Sequence, residues 1–511
     1  MEPWLLEAGK ILAGLVLKTG WEMGNQRLDE PLKQLIFKAS GQYVQNYMER
    51  HGTLKVICAR MDAPMRLDEI FTPVQVLERS ELRYFESAET LHERFRKSGR
   101  GFEQYKGDRQ DGIAVANTQQ YLMVLGGPGV GKSTFLRKVG LEALKGQSQT
   151  FHHACIPVFL RLQSFNTNQI TITQLIEQEF ATCGFPDAPK FTETALRKGS
   201  LLVLLDGLDE VPIDNLDYAI SQIEDLVDQY RQNRFIASCR TAAYKTGFRT
   251  FKDVAMATFN DTQIEQFIDN WFRTEPQTAK ECWDLLKSPE YVAAKELAQT
   301  PLLLTLLCAV YDESQAFPKN RSAVYGEALD ILLKKWAAEK RLKRDPIYRE
   351  LSPELEQILL SEIACTSFAI DQLFFSKQDV TQRIREFLVN TLNAPHHLDA
   401  EAVLNAIEVQ QGILVERARD TYSFSHLTLQ EYLTAQYLKE HQQIPALVQN
   451  HLTDPRWREV FLLVAGLMRG GADDLLQQME HQTQSFVQSA NLQALFQWAD
   501  EITRSSPATY A

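Results

Sequence analysis

The chain of 511 residues exceeds one ordinary hydrophobic core and predicts three or four domains. Its 44% hydrophobic and 23% charged residues have the balance of a soluble globular protein. A net charge of -12 argues against a chain that coats nucleic acid and leaves at most a local basic patch.

The N-terminus, MEPWLLEAGKILAGLVLKTGW, is apolar but interrupted by Glu7, Lys10 and Lys18. It predicts an amphipathic helix packed within the protein and no stable membrane insertion. Residues 1–115 read as a helical N-terminal domain, with apolar residues at spacings of three and four, as in Leu32, Leu35, Ile36 and Tyr43, Val44, Tyr47. The polar, glycine-rich stretch from Lys97 to Gly112 reads as a linker.

From Gln120 the pattern changes. Apolar runs at Tyr121–Leu125, Ile156–Leu162, Leu201–Leu205 and Phe235–Ser238 alternate with helical patterns at Lys132–Leu144, Ile172–Cys183 and Asn215–Arg231. Buried strands alternating with helices predict a parallel sheet covered on both faces, over residues 116–262. A helical domain is expected at 263–345, where Pro301 to Tyr311 is apolar all round and reads as a buried helix. Residues 346–440 read as a winged helix, because Gly412 to Phe424 forms two short strands around a charged turn. A short helical region is expected at 441–511, and no repeat with a period of about 20 to 50 residues is found. Seven scattered cysteines without a CxxC pair suit a reducing cytosol and predict a cytoplasmic protein. The pairs His152–His153 and His396–His397 lack partners at metal-ligand spacing.

Two segments carry chemistry. Gly126, Gly127, Pro128, Gly129, Val130, Gly131, Lys132, Ser133 and Thr134 fit G-x-x-x-x-G-K-[ST] between a strand and a helix. Glycines let backbone N–H groups close around a phosphate, and the following helix adds its positive end. Lys132 is expected to reach the β- and γ-phosphates, Ser133 to ligate magnesium, and Thr134 to meet the α-phosphate. The second segment, LLVLLDGLDEVP from Leu201 to Pro212, delivers Asp206 to the C-terminal end of a buried strand, where open α/β sheets bind ligands. Asp206 is therefore a candidate magnesium carboxylate, and Asp209 or Glu210 a candidate base for the attacking water.

These two motifs together resemble the NACHT family of signal-transducing P-loop ATPases (STAND NTPases), whose mark is the small residue Gly207 after the acidic strand end, followed by Asp209 and Glu210. The resemblance runs over roughly residues 117–440. It implies that Arg240, closing FIASCR, senses the γ-phosphate. It implies that Pro301, in Thr300-Pro301-Leu302, packs on adenine, and that His426, in FSHLTLQEYLTAQYL, contacts the nucleotide phosphate. It further implies ATP or ADP with Mg2+ as ligands, slow hydrolysis, and a switch that self-associates when a protein, phage or nucleic-acid trigger is sensed. Bacterial members of this kind resemble antiviral defence proteins. The chain departs from the animal members: neither leucine-rich repeats nor a death fold is read in it. An alternative is a transcriptional regulator of the same superclass whose winged helix binds DNA; Arg417 and Arg419 in the wing are flanked by Glu416 and Asp420. A mechanical remodeller is a third reading, for which no aromatic pore loop is found.

Overall fold

The computed structural model describes residues 3–18, 30–54, 65–78, 90–93, 109–146, 149–165, 170–182, 184–185, 187–244, 247–317, 321–330, 333, 351–392, 399–418, 420–468, 470–488 and 490–505. Most of the expected linker at 97–112, His396, His397, Arg419, Cys58 and Cys183 lie outside these residues. The described chain divides into two compact units, one of residues 1–317, 330–350 and 374–426, the other of 318–329, 351–373 and 427–511.

The first unit is built on a seven-stranded sheet of β1 (Gln75–Glu78), β2 (Gln110–Asp111), β3 (Tyr121–Leu125), β4 (Ile156–Arg161), β5 (Leu201–Asp206), β6 (Arg234–Cys239) and β7 (Lys252–Met256). Its order is β2-β1-β7-β3-β6-β5-β4. The five strands from β7 to β4 are parallel, while β1 runs antiparallel to both β2 and β7. Every residue of β5 is buried, which explains its unbroken apolar run: both faces are covered. The four runs read from sequence are β3 to β6, with ends that differ by no more than one residue: β4 stops one short at Arg161, β5 gains Asp206, and β6 gains Arg234 and Cys239. Strands β1, β2 and β7, at one side of the sheet, add to that reading; β1 and β2 belong to the region read as helical. They are short or carry charges, as in Lys252 and Asp253 of β7, so they leave no apolar run to detect.

Helices α1 (Pro3–Lys18) and α2 (Glu30–His51) pack on each other. Ala8, Leu12, Ala13 and Val16 of α1 and Ile36, Ala39, Tyr43, Val44 and Tyr47 of α2 are buried, which is the spacing of one helical face. The pair seats against α3 (Lys132–Lys145) and the sheet. Tyr43 donates a hydrogen bond to the Pro157 carbonyl at 2.6 Å, and Arg50 pairs with Glu179 at 2.6 Å. Tyr47 lies over Gly140 of α3, where a Cβ would collide with its hydroxyl. His51 is buried between the rings of Tyr47 and Phe159, with centroids 4.7 and 4.6 Å away, and neither ring nitrogen has a hydrogen-bond partner among the described residues.

Helix α4 (Pro301–Ser314) begins with Pro301 in its first turn, after Thr300 in extended conformation. Leu303, Leu304, Leu306, Leu307, Cys308 and Tyr311 are all buried, so the helix is apolar all round because it is enclosed. Among the described residues, no helix is long and apolar enough to cross a membrane. A three-stranded antiparallel wing completes the unit: β8 (Phe375–Ser376), β9 (Leu414–Ala418) and β10 (Thr421–Phe424), in the order β8-β10-β9. Strands β9 and β10 answer the two expected from Gly412 to Phe424; β8, only two residues long, carried no signal.

The second unit is helical. Helices Pro353–Ala369 and Leu427–Glu440 form its main pair, with Arg458–Leu467 packed on the latter. Trp457 is buried in stacked contact with His451 at 3.9 Å and edge-on to Phe368 at 4.9 Å.

Candidate nucleotide site

Strand β3 delivers Leu125 to the glycine loop, and α3 begins at Lys132. The loop turns through Gly129 at φ 72° and Gly131 at φ 96°, left-handed conformations that glycine adopts without penalty. Gly131 is the residue before the first turn of α3, so the unpaired N–H groups of a 14-residue helix open onto the loop. The Lys132 ammonium donates to the carbonyls of Gly126 and Gly127, at 2.7 and 2.9 Å, and thus spans the loop it belongs to. Val130 packs beneath Gly126, where a Cβ would stand 2.7 Å from its methyl group. Ser133 and Thr134 lie half-buried in the first turn of α3.

Beside the loop run β5 and β6, paired in parallel with Leu205 opposite Ala237. Asp206 ends β5 and is buried. Its Oδ1 accepts from the Ser238 hydroxyl at 2.8 Å, and the same hydroxyl oxygen accepts from the Gly207 N–H at 2.9 Å. Gly207 sits at φ 80°, and a Cβ there would meet the Glu210 carboxyl carbon at 2.9 Å. The small residue therefore lets the chain turn sharply enough to fold Glu210 back against the strand end.

Asp209 and Arg240 form a buried ion pair. Arg240 Nε donates to Asp209 Oδ2 at 2.8 Å, the Arg240 backbone N–H donates to Oδ1 at 3.0 Å, and the two side chains are 3% and 4% exposed. The guanidinium Nη1 and Nη2 are buried with no hydrogen-bond partner among the described residues. A buried cation with two unused donor groups suits an anion nearby. The donor set of Ser133 hydroxyl and Asp206 carboxylate is all oxygen, as a hard divalent cation requires. The residues present thus fit a nucleotide with magnesium. No cluster of three or more His, Cys, Asp or Glu among the described residues is arranged to hold a metal ion.

The loop is gripped from two other parts of the unit. Leu302 at the start of α4 donates its N–H to the Gly129 carbonyl at 3.2 Å, and a Cβ on Gly129 would stand 2.8 Å from Leu302 Cβ. Gly412, at φ 62° just before β9, lies against the Pro128 ring so closely that its own Cβ would overlap Pro128 Cγ and Cδ. His426 and Pro301 meet through Thr300: the Thr300 hydroxyl and His426 Nε2 are 3.1 Å apart, and Nδ1 lies 3.2 Å from the Ser425 hydroxyl. Desolvation, reinforced by Arg417, pulls the His426 imidazole down to about 3, so it is neutral near pH 7. A neutral imidazole offers an N–H to a phosphate but no charge.

Arg417 is committed to its own hairpin. It donates to the Ser423 hydroxyl at 2.9 Å and to the carbonyls of Phe424 and Ser425 at 3.2 and 2.8 Å. All the candidate residues from Gly126 to His426 lie in this one unit. Sequence reasoning passed over Ser238 and Gly412. The first left a trace, a lone hydroxyl in an apolar strand beside an acidic strand end; the second left only a glycine ahead of a hairpin.

The chain matches the NACHT domain over residues 120–275 and the winged helix-turn-helix domain C-terminal to NACHT over residues 321–438. No curated relative matches it in sequence. Among solved structures it is similar to Cdc6p from Pyrobaculum aerophilum (14% identity, 63% of this chain and 88% of that one, TM-score 0.26). It is also similar to the Aeropyrum pernix ORC2 protein (9% identity, 76% of this chain and 93% of that one, TM-score 0.34). A third is a signal transduction ATPase with numerous domains and a tetratricopeptide repeat sensor from Pyrococcus horikoshii (12% identity, 72% of this chain and 48% of that one, TM-score 0.26). The two domain matches stand in the order in which their names couple them and together cover more than half of the residues: the chain belongs to the NACHT family of P-loop NTPases.

Proposed function

We propose that the protein is a nucleotide-controlled switch that binds ATP or ADP with Mg2+ at the Gly126–Thr134 loop, hydrolyses ATP slowly, and self-associates when triggered. The observation that carries this reading is the grip on the loop: Leu302 from α4 and Gly412 from the segment before the wing both touch its tip. A ligand that displaces the loop must displace these segments too, so occupancy and arrangement are coupled. In this reading Lys132 holds the β- and γ-phosphates, Ser133 and Asp206 hold the cation, and Arg240 reports on the γ-phosphate. Both carboxylate oxygens of Asp209 are engaged by Arg240, which favours Glu210 as the base. Pro301 and His426 take the adenine and phosphate contacts, and Thr300 ties the two together.

Magnitude limits the device. Moving a switch from about 1:99 to 99:1 needs roughly 5.5 kcal/mol of differential binding, and one charge-assisted hydrogen bond supplies about 1.5–3 kcal/mol. A trigger must therefore contribute. We assign the sensing and output roles to residues 1–115 and 441–511, flanking the nucleotide domain (116–262), helical domain (263–345) and winged helix (346–440). Antiviral defence in the cytoplasm is the setting proposed. The committed Arg417 favours the wing as an internal lid over a DNA-reading element.

The test is to identify the nucleotide carried by the purified protein, then follow its mass with ATP and with lysate of infected cells. Lys132→Ala should lose nucleotide and response together. Glu210→Gln should bind ATP, hydrolyse it more slowly and favour the associated form. Rapid turnover by a constitutive monomer would sink the switch.

A further inference from the structure

Ser238 stands on β6 beside the end of β5 and is 1% exposed. Its hydroxyl has one proton and two neighbours. Gly207 N–H occupies an oxygen lone pair at 2.9 Å, so the proton is directed to Asp206 Oδ1, 2.8 Å away. This fixes the carboxylate from one side. Oδ2 of Asp206 accepts no hydrogen bond from any described residue. The carboxylate thus has one oxygen bound to the fold and one turned to other use.

We infer that Ser238 is a positioning residue, which holds Asp206 so that Oδ2 serves a hard divalent cation, and so sets the metal affinity of the site separately from its nucleotide affinity. The inference rests on the proposed Mg2+-nucleotide reading of the loop. Its physical basis is the rotation of a carboxylate about its terminal bond, a soft two-fold torsion that a single hydrogen bond restrains. Outer partners of this kind change metal affinity by about 10- to 100-fold when removed. The nucleotide's own contacts, through loop N–H groups and Lys132, do not pass through Ser238.

The experiment titrates Mg2+ into the full-length protein in the presence of fluorescent ADP, and repeats nucleotide binding in EDTA. Ser238→Ala should raise the half-saturating Mg2+ concentration about tenfold and leave the affinity in EDTA within about twofold of wild type. A buried cavity can harm folding, so Ser238→Thr and Ser238→Val form a second pair of nearly equal volume. The threonine keeps the hydroxyl and should keep the Mg2+ dependence; the valine should lose it. Wild-type Mg2+ dependence in both the alanine and valine variants, or an equal loss of affinity in EDTA, would overturn the assignment. A wild type that binds nucleotide without regard to Mg2+, or not at all, removes the reading of the loop, and the Ser238 role with it.

Discussion

Arg240 holds Asp209 at two points, through its side-chain Nε and its own backbone N–H, in a site from which water is nearly excluded. Removing one member of such a pair leaves the other charge buried and uncompensated. Asp209→Ala should destabilise the protein by about 3–5 kcal/mol. Asp209→Ala combined with Arg240→Leu should cost less than Asp209→Ala alone, because the stranded cation is gone. Urea unfolding of the two single variants and the double variant measures the coupling. Strict additivity would mean that the pair is incidental.

Acid should weaken the first unit through two histidines. Burial, with Arg137, Arg50 and Arg161 adding to it, pulls His51 down to about 3, and desolvation with Arg417 does the same to His426. Both are therefore neutral in the folded protein, while the unfolded chain protonates them near the ordinary value of about 6.5. The unfolded state then binds more protons between those values. Stability from each group is fully present above about pH 6.5 and is lost as the pH falls toward 3. At pH 5.5 the buried His51 imidazole should cost about 1.4 kcal/mol relative to pH 8. His51→Phe, which cannot take a proton, should flatten the profile by about that amount. Denaturant unfolding at the two pH values gives the comparison; an unchanged slope in the variant would show that His51 is protonated in the fold.

Gly412 should tolerate no side chain. Alanine there meets the Pro128 ring and must also hold φ near 62°, a strain of about 1–2 kcal/mol. The expected result for Gly412→Ala is faster release of fluorescent ADP and a lower melting temperature. Pro128→Ala in the same chain removes the collision but not the backbone strain. It should restore part of the slow release, and the part restored measures the contact between lid and loop.

The wing offers a test against DNA binding. Arg417→Ala takes the guanidinium donor from the Ser425 carbonyl, while the Phe424 carbonyl keeps the Ser423 hydroxyl, and should destabilise the hairpin by about 1–3 kcal/mol. Mobility shift at low salt should detect no specific DNA complex in wild type, and hence none to lose in the variant. A complex that weakens steeply with added salt would instead establish the wing as a DNA reader.

Much of this architecture was legible before any coordinates. The buried runs of β3 to β6 betrayed themselves because a strand covered on both faces must be apolar throughout. The glycine loop and Asp206 were readable because phosphate and metal chemistry constrain residue type directly. Other features were hidden by their size. Strands β1, β2, β7 and β8 gain their stability from neighbouring strands rather than from their own composition, so no local pattern marks them. The Asp209–Arg240 pair joins residues 31 positions apart, and Thr300 to His426 spans 126. Sequence suggested roles for these residues singly; their pairing depends on strand order and on where α4 and the wing return.

The notch at Gly140 has a mechanical consequence. At 1.5 Å per residue, Gly140 lies about 12 Å along α3 from Lys132. The ring of Tyr47 bears on the flank of the very rod whose tip carries the loop lysine. Helices tilt more readily than they bend over so short a span, so pressure on that flank reaches the tip as rotation about the sheet. The N-terminal helices therefore hold a lever arm on the phosphate end of α3.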